Sequence, residues 1–111
     1  MSHGLGDLEQ LVLLAVVRLS GKAYAVSVRL EIEGLTGRQT SRGAVYVTLG
    51  RMEQKGYLRS ELSEPTPERG GKAKRMFTIT GAGTEVLRET VRGLQAMLDG
   101  IERDLAWGKG S

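Results

Sequence analysis

Between Leu8 and Leu19 the chain carries apolar side chains at Leu8, Leu11, Val12, Leu13, Leu14, Ala15, Val16, Val17 and Leu19. At helical spacing Leu8, Leu11, Val12, Ala15, Val16 and Leu19 form one broad face, and Leu14 and Val17 widen it until little polar surface remains. Such a helix is expected to be buried on most sides, so the other elements must pack around it. In 111 residues there is room for one domain that does so, and a hydrophobic fraction of 40% supplies a modest core. The segment predicts a helix over 6–20, capped by Asp7 and stopped at Ser20 and Gly21.

A second helix is expected over about 24–33, with Tyr24, Ala25, Val28 and Ile32 toward the core. The alternation of Val26, Val28, Leu30 and Ile32 also fits a strand, but Glu31 and Glu33 suit a helix end better than a strand interior. Residues 34–40 read as a turn, with room for a very short strand at 38–40. A third helix follows, with Ser41 as N-cap and Gly56 as the residue past its end. Residues 57–62 and 73–80 read as strands, the second with Phe77 and Ile79 on one face and Met76 and Thr78 on the other. The loop between them, 63–72, holds both prolines and the Gly70-Gly71 pair.

The last helix is expected to start near Gly81 behind a Thr80 cap and to run to about Ala106. Leu87, Val91, Leu94, Leu98, Ile101 and Leu105 recur at spacings of 4, 3, 4, 3 and 4, the apolar seam of a coiled coil. A helix of about 26 residues is about 39 Å long, more than the rest of the chain can cover. Self-association through this seam is the favoured reading, and docking on its own domain is the alternative. Gly93 and Gly100 weaken the isolated helix and permit close helix approach.

The order helix, helix, helix, strand, loop, strand describes a winged helix-turn-helix. The fold class is therefore mainly α with a small β-hairpin: a DNA-binding domain over 6–80 and a C-terminal dimerisation helix over 81–107. The third helix has two unlike faces. Val45, Leu49 and Met52 fall on one; Gly43, Val47, Gly50 and Gln54 fall on the other, flanked by Tyr46 and Arg51. Each glycine costs about 1 kcal/mol relative to alanine in a helix, but it also removes a side chain that would obstruct approach to a major groove. Arg42, Tyr46, Arg51 and Gln54 are the candidate groove contacts. On the wing, Arg69, Lys72, Lys74 and Arg75 are candidates for the phosphate backbone or minor groove.

Charge supports a polyanionic partner for the middle of the chain. The net charge is only +3, but residues 38–75 hold nine Lys/Arg against four acids, while the remainder holds seven against nine. Charge alone fits a solvated surface equally well. With no cysteine there is no thiolate metal site or disulfide, which fits a reducing cytoplasm. His3 has no partner, no serine has a histidine base, and Gly70-Gly71 lacks the phosphate-loop spacing. No catalytic residue, metal or cofactor is expected. No apolar run approaches the roughly 20 residues of a membrane span, and Asp7 and Glu9 break the order of a signal peptide. The expected location is cytoplasmic.

The stretches "GAVYVTLGRMEQKGYL" and "GGKAKRMFTITGAG" resemble the PadR family of bacterial transcriptional regulators. That family has a Gly-x-Leu-Tyr-x-x-Leu-x-Arg-Leu-Glu-x-x-Gly-Leu-like recognition helix, a glycine-rich wing and an aromatic strand ending in Leu-Thr-x-x-Gly. The counterparts here are Gly43, Val45, Tyr46, Leu49, Arg51, Met52, Glu53, Gly56 and Tyr57, then Phe77, Ile79, Thr80 and Gly83. "KAYAV" (22–26) is similar to the family's opening of helix two. Two positions depart: Val47 stands where the family often has proline, and Gly50 where it often has lysine. The resemblance implies a homodimer of the short subgroup, with a single C-terminal helix, that binds double-stranded DNA at a palindromic operator as a repressor. It also implies a small aromatic effector in some members, for which Trp107 is a candidate contact; the competing role for Trp107 is packing or dimer anchoring. Outside that resemblance, a winged helix can also serve as a protein-interaction module without DNA binding.

Overall fold

The computed structural model describes residues 4–64 and 73–105. The elements run α1 (Asp7–Leu19), α2 (Ala25–Thr36), α3 (Arg42–Gln54), β1 (Leu58–Leu62), β2 (Arg75–Ile79) and α4 (Gly81–Leu98), followed by one 3-10 turn at Arg103–Leu105. The two strands pair antiparallel, from Leu58 opposite Ile79 to Leu62 opposite Arg75.

As its composition predicts, α1 is the hub: it packs against α2, α3, β2 and α4. Val12, Leu13 and Val16 meet Val28 and Ile32 of α2, Val45, Leu49 and Met52 of α3, and Leu58, Phe77 and Leu87 in one core. Leu13, which the periodicity argument passes over, is fully buried. Leu14 and Val17, expected to widen the buried face, are instead 38% and 48% exposed. They face an open groove that they share with Leu87 and Val91 of α4. At the start of α1 Asp7 is not the cap. Gly6 holds that position, and its N–H donates to Glu9 Oε1 at 2.8 Å.

α2 ends about one turn later than expected, at Thr36. It runs through Gly34, an exposed position where glycine is tolerated, and stops where Gly37 turns left-handed at φ +73°. Residues 37–40 form no strand. Glu33 instead ties down this turn: its Oε2 accepts from the Thr40 N–H at 3.2 Å and pairs with Arg29 at 3.2 Å. The hairpin is pinned to the start of the helix-turn-helix by the Phe77 N–H, which donates to the Ala23 carbonyl at 2.8 Å.

α4 starts as predicted, with Thr80 Oγ1 accepting from the Gly83 N–H at 3.0 Å. It does not reach Ala106. Asp99 leaves the helical region with ψ 125°, and Gly100 follows at φ +87°. An acid at a helix C-terminus opposes the helix dipole, and glycine just beyond is a stop signal; the heptad spacing masks both. The seam therefore runs on one helix only through Leu87, Val91, Leu94 and Leu98, and Ile101 and Leu105 lie beyond its end. Leu87 is buried, Val91 and Leu98 are half-buried, and Leu94 and Met97 are exposed, left uncovered by the other described residues.

Candidate nucleic-acid interface

The geometry of α3 follows from its two ends. Ser41 Oγ accepts from the Ala44 N–H at 3.0 Å, which sets the first turn. At the other end Gly56, at φ +84°, donates to the Glu53 carbonyl at 3.0 Å, and the Tyr57 N–H reaches back to Met52 O at 2.9 Å. This paired arrangement satisfies the last carbonyls and turns the chain sharply into β1. Between the ends Val45, Thr48, Leu49 and Met52 are buried, and the Thr48 hydroxyl is spent on Ala44 O at 2.7 Å.

The opposite stripe is open. Gly43, Val47, Gly50 and Gln54 are exposed on it, with Arg42 at its start. Tyr46 beside it is 66% exposed and Val47 56%. A β-carbon placed on Gly43 or Gly50 meets nothing within 4 Å. The fold itself therefore does not require glycine at either position. Gly83 is the contrast: there a β-carbon would collide with the Tyr57 carbonyl oxygen, so the fold does require it.

The flanking charges are less uniform than the sequence suggests. Arg51 sits on the side of α3 nearest the start of α1 and pairs with Glu9 Oε2 at 3.7 Å. Glu53, the one acid on α3, is engaged by the Ser60 hydroxyl at 2.7 Å, and Arg75 Nη1 donates to the same hydroxyl at 3.0 Å. That chain of hydrogen bonds ties β2 and β1 to the C-terminal end of α3. Lys74 Nζ stacks 4.2 Å from the centre of the Tyr24 ring, at the N-terminus of α2. This contact joins residues fifty positions apart, and no spacing pattern announces it. Arg69, Lys72 and Trp107 lie outside the described residues.

Between α1, the end of β2 and α4, Leu14, Val17, Ile79, Leu87 and Val91 line an open apolar groove of about 390 Å³, to which Arg88 and Arg92 also contribute. It continues the exposed part of the α4 seam. Among the described residues no helix is long and apolar enough to cross a membrane.

Residues 13–89 match the transcriptional regulator PadR-like family. No curated protein matches the chain by sequence. Solved structures do share the fold. A PadR-like transcriptional regulator from Bacillus cereus superposes with TM-score 0.67 at 20% identity, over 92% of this chain and 93% of that one. A PadR family regulator from Eggerthella lenta gives TM-score 0.66 at 26% identity, over 88% and 85%. F93 from STIV, a winged-helix DNA-binding protein, gives TM-score 0.65 at 18% identity, over 82% and 90%. With the family matched from within α1 through α2, α3 and the hairpin into α4, the chain belongs to the PadR-like transcriptional regulators.

Proposed function

We propose that this regulator binds double-stranded DNA sequence-specifically, as a homodimer on a palindromic operator, and represses transcription from it. The observation that carries the reading is the outward stripe of α3. It is bared by two glycines that nothing inside the protein requires, and it is bordered by Arg42, Tyr46 and Gln54. A helix entering a major groove needs such a surface. Arg75 and Lys74 on and beside β2, with Arg69 and Lys72 beyond the described part of the wing, supply charge for the phosphates. Arg51 joins the contact when it leaves Glu9.

The dimer reading rests on the exposed Leu94 and Met97 of α4 and on the neighbouring groove at Leu14 and Val17. A second copy would cover both. The same apolar surface is a natural seat for a small aromatic effector, with Trp107 as a candidate contact. Repression follows from occupying a promoter that polymerase must reach.

Selection of bound sequences from random duplex DNA tests the reading. The expected result is an inverted repeat with half-site centres about 34–36 Å apart, or a multiple of it, and an affinity that falls steeply with salt. Absence of measurable duplex affinity at low salt would leave the fold as a protein-docking module and end the DNA reading.

A further inference from the structure

We propose that Val47 is a specificity-determining residue that reads the 5-methyl group of thymine in the major groove; the inference rests on the DNA-binding reading of α3. Val47 is the one branched aliphatic side chain that α3 leaves exposed, at 56%. A single exposed aliphatic residue is ordinary by itself. Its surroundings set it apart. Gly43 and Gly50 precede and follow it on the same ridge, four and three residues away, and neither presents a side chain. Val47 is therefore an apolar knob with a glycine before and after it on its own ridge, and with Tyr46 and Arg51 beside it.

The ridge is also chemically selective. Arg42 stands at the start of the helix and Lys55 at its end, while Glu53 is turned to the Ser60 hydroxyl. A polyanion is attracted, and between Gly43 and Gly50 the ridge itself presents only the Val47 side chain, which has no hydrogen-bond donor or acceptor; those stand at its flanks, on Tyr46 and Arg51. Among the groups that base pairs present in the major groove, the thymine methyl is the one that such a centre complements. β-branching adds preorganisation, because the valine χ1 is restricted on a helix and its two methyls are held in place. Burying one methyl against them is worth about fourfold in affinity per half-site.

The test uses the full-length protein and the operator recovered by selection. Each thymine is replaced in turn by deoxyuridine, which removes the methyl and leaves the hydrogen-bonding edge intact. For the wild-type protein one or two thymines per half-site should show a loss of about fourfold. Val47→Ala, which alters both protomers, should bind the unmodified operator about sixteenfold more weakly, about fourfold at each half-site, and lose that uracil penalty, with penalties elsewhere unchanged. Because Val47 is exposed and alanine is the better helix former, the variant should fold. Uniform insensitivity of the wild type to uracil, or a penalty that persists in Val47→Ala, overturns the proposal while leaving DNA binding intact. A Val47→Ala effect confined to self-association, read by sedimentation, would also overturn it by assigning the knob to a protein contact. Loss of the DNA reading itself would appear earlier, as no duplex affinity in the wild type.

Discussion

Gly83, in the first turn of α4, abuts the backbone carbonyl of Tyr57, just past the end of α3. A β-carbon at Gly83 would overlap that oxygen and come within 2.8 Å of Ile79 Cγ1. Two hydrogen bonds close the same junction: the Thr80 N–H donates to Tyr57 O at 3.0 Å, and Thr80 Oγ1 donates to Gly56 O at 2.6 Å. The helix proposed to dimerise is thereby fastened to the end of the helix proposed to read DNA. In such a dimer, the angle at which two α4 helices meet is passed directly to the two recognition helices.

Gly83→Ala should therefore destabilise the protein. The atom in the way is backbone, so relief requires shifting the start of α4 rather than a side-chain rotation. A cost of about 1–3 kcal/mol, typical of overpacking, is expected in urea unfolding at fixed protein concentration. A variant as stable as wild type would mean that the junction yields easily.

Thr80→Ala should cost about 1–2 kcal/mol, because it removes the N-cap acceptor for Gly83 and the donor to Gly56 at once. Thr80→Ser, which keeps the hydroxyl, should recover most of the loss in the same unfolding measurement.

How far the sequence reveals this architecture depends on the range of the forces involved. The ends of α3 are legible because Ser41 and Gly56 act on their immediate neighbours. The identity of α1 as the central helix is legible from its composition, yet which residues it leaves open is not, since Leu14 and Val17 border a groove whose other wall comes from Ile79 and α4, far along the chain. The end of α4 departs from the expected one because an apolar repeat continues past Asp99 and Gly100, and backbone geometry outweighs it there. The Glu9–Arg51 pair and the Tyr24–Lys74 stack join distant segments and carry no local signature.

Gly43→Ala and Gly50→Ala should separate stability from binding. With nothing within 4 Å of either added methyl, each should stabilise the helix by about 1 kcal/mol. The same methyls stand on the proposed groove-facing ridge and should weaken operator binding. Thermal unfolding and a binding titration on the same variants check both signs. A gain in stability with unchanged affinity would remove the reason offered for the glycines.

Two leucines on the α4 seam should respond differently to the same change. Leu87 is 7% exposed in the core, and Leu87→Glu should unfold the protein by burying an unpaired charge. Leu94 is 52% exposed within one copy, so Leu94→Glu should leave the fold intact and shift sedimentation toward a single copy. A folded Leu94→Glu variant that still sediments as a dimer would exclude this part of the seam from the interface.

The wing prediction turns on Lys74, whose ammonium lies 4.2 Å from the centre of the Tyr24 ring. That stacking holds the charge at the junction of hairpin and helix-turn-helix while leaving ammonium hydrogens available to a phosphate. Lys74→Ala should weaken binding to operator and random duplex alike, and should lower the salt slope by about 0.9 for each phosphate that is no longer neutralised. Tyr24→Leu keeps the charge and removes the ring. It should weaken binding a few-fold, matching a cation–π contribution of about 0.5–1 kcal/mol, with the slope unchanged. A titration of both variants against salt distinguishes the charge from its support: if Lys74→Ala leaves the slope at the wild-type value, Lys74 packs on Tyr24 for stability and does not touch DNA.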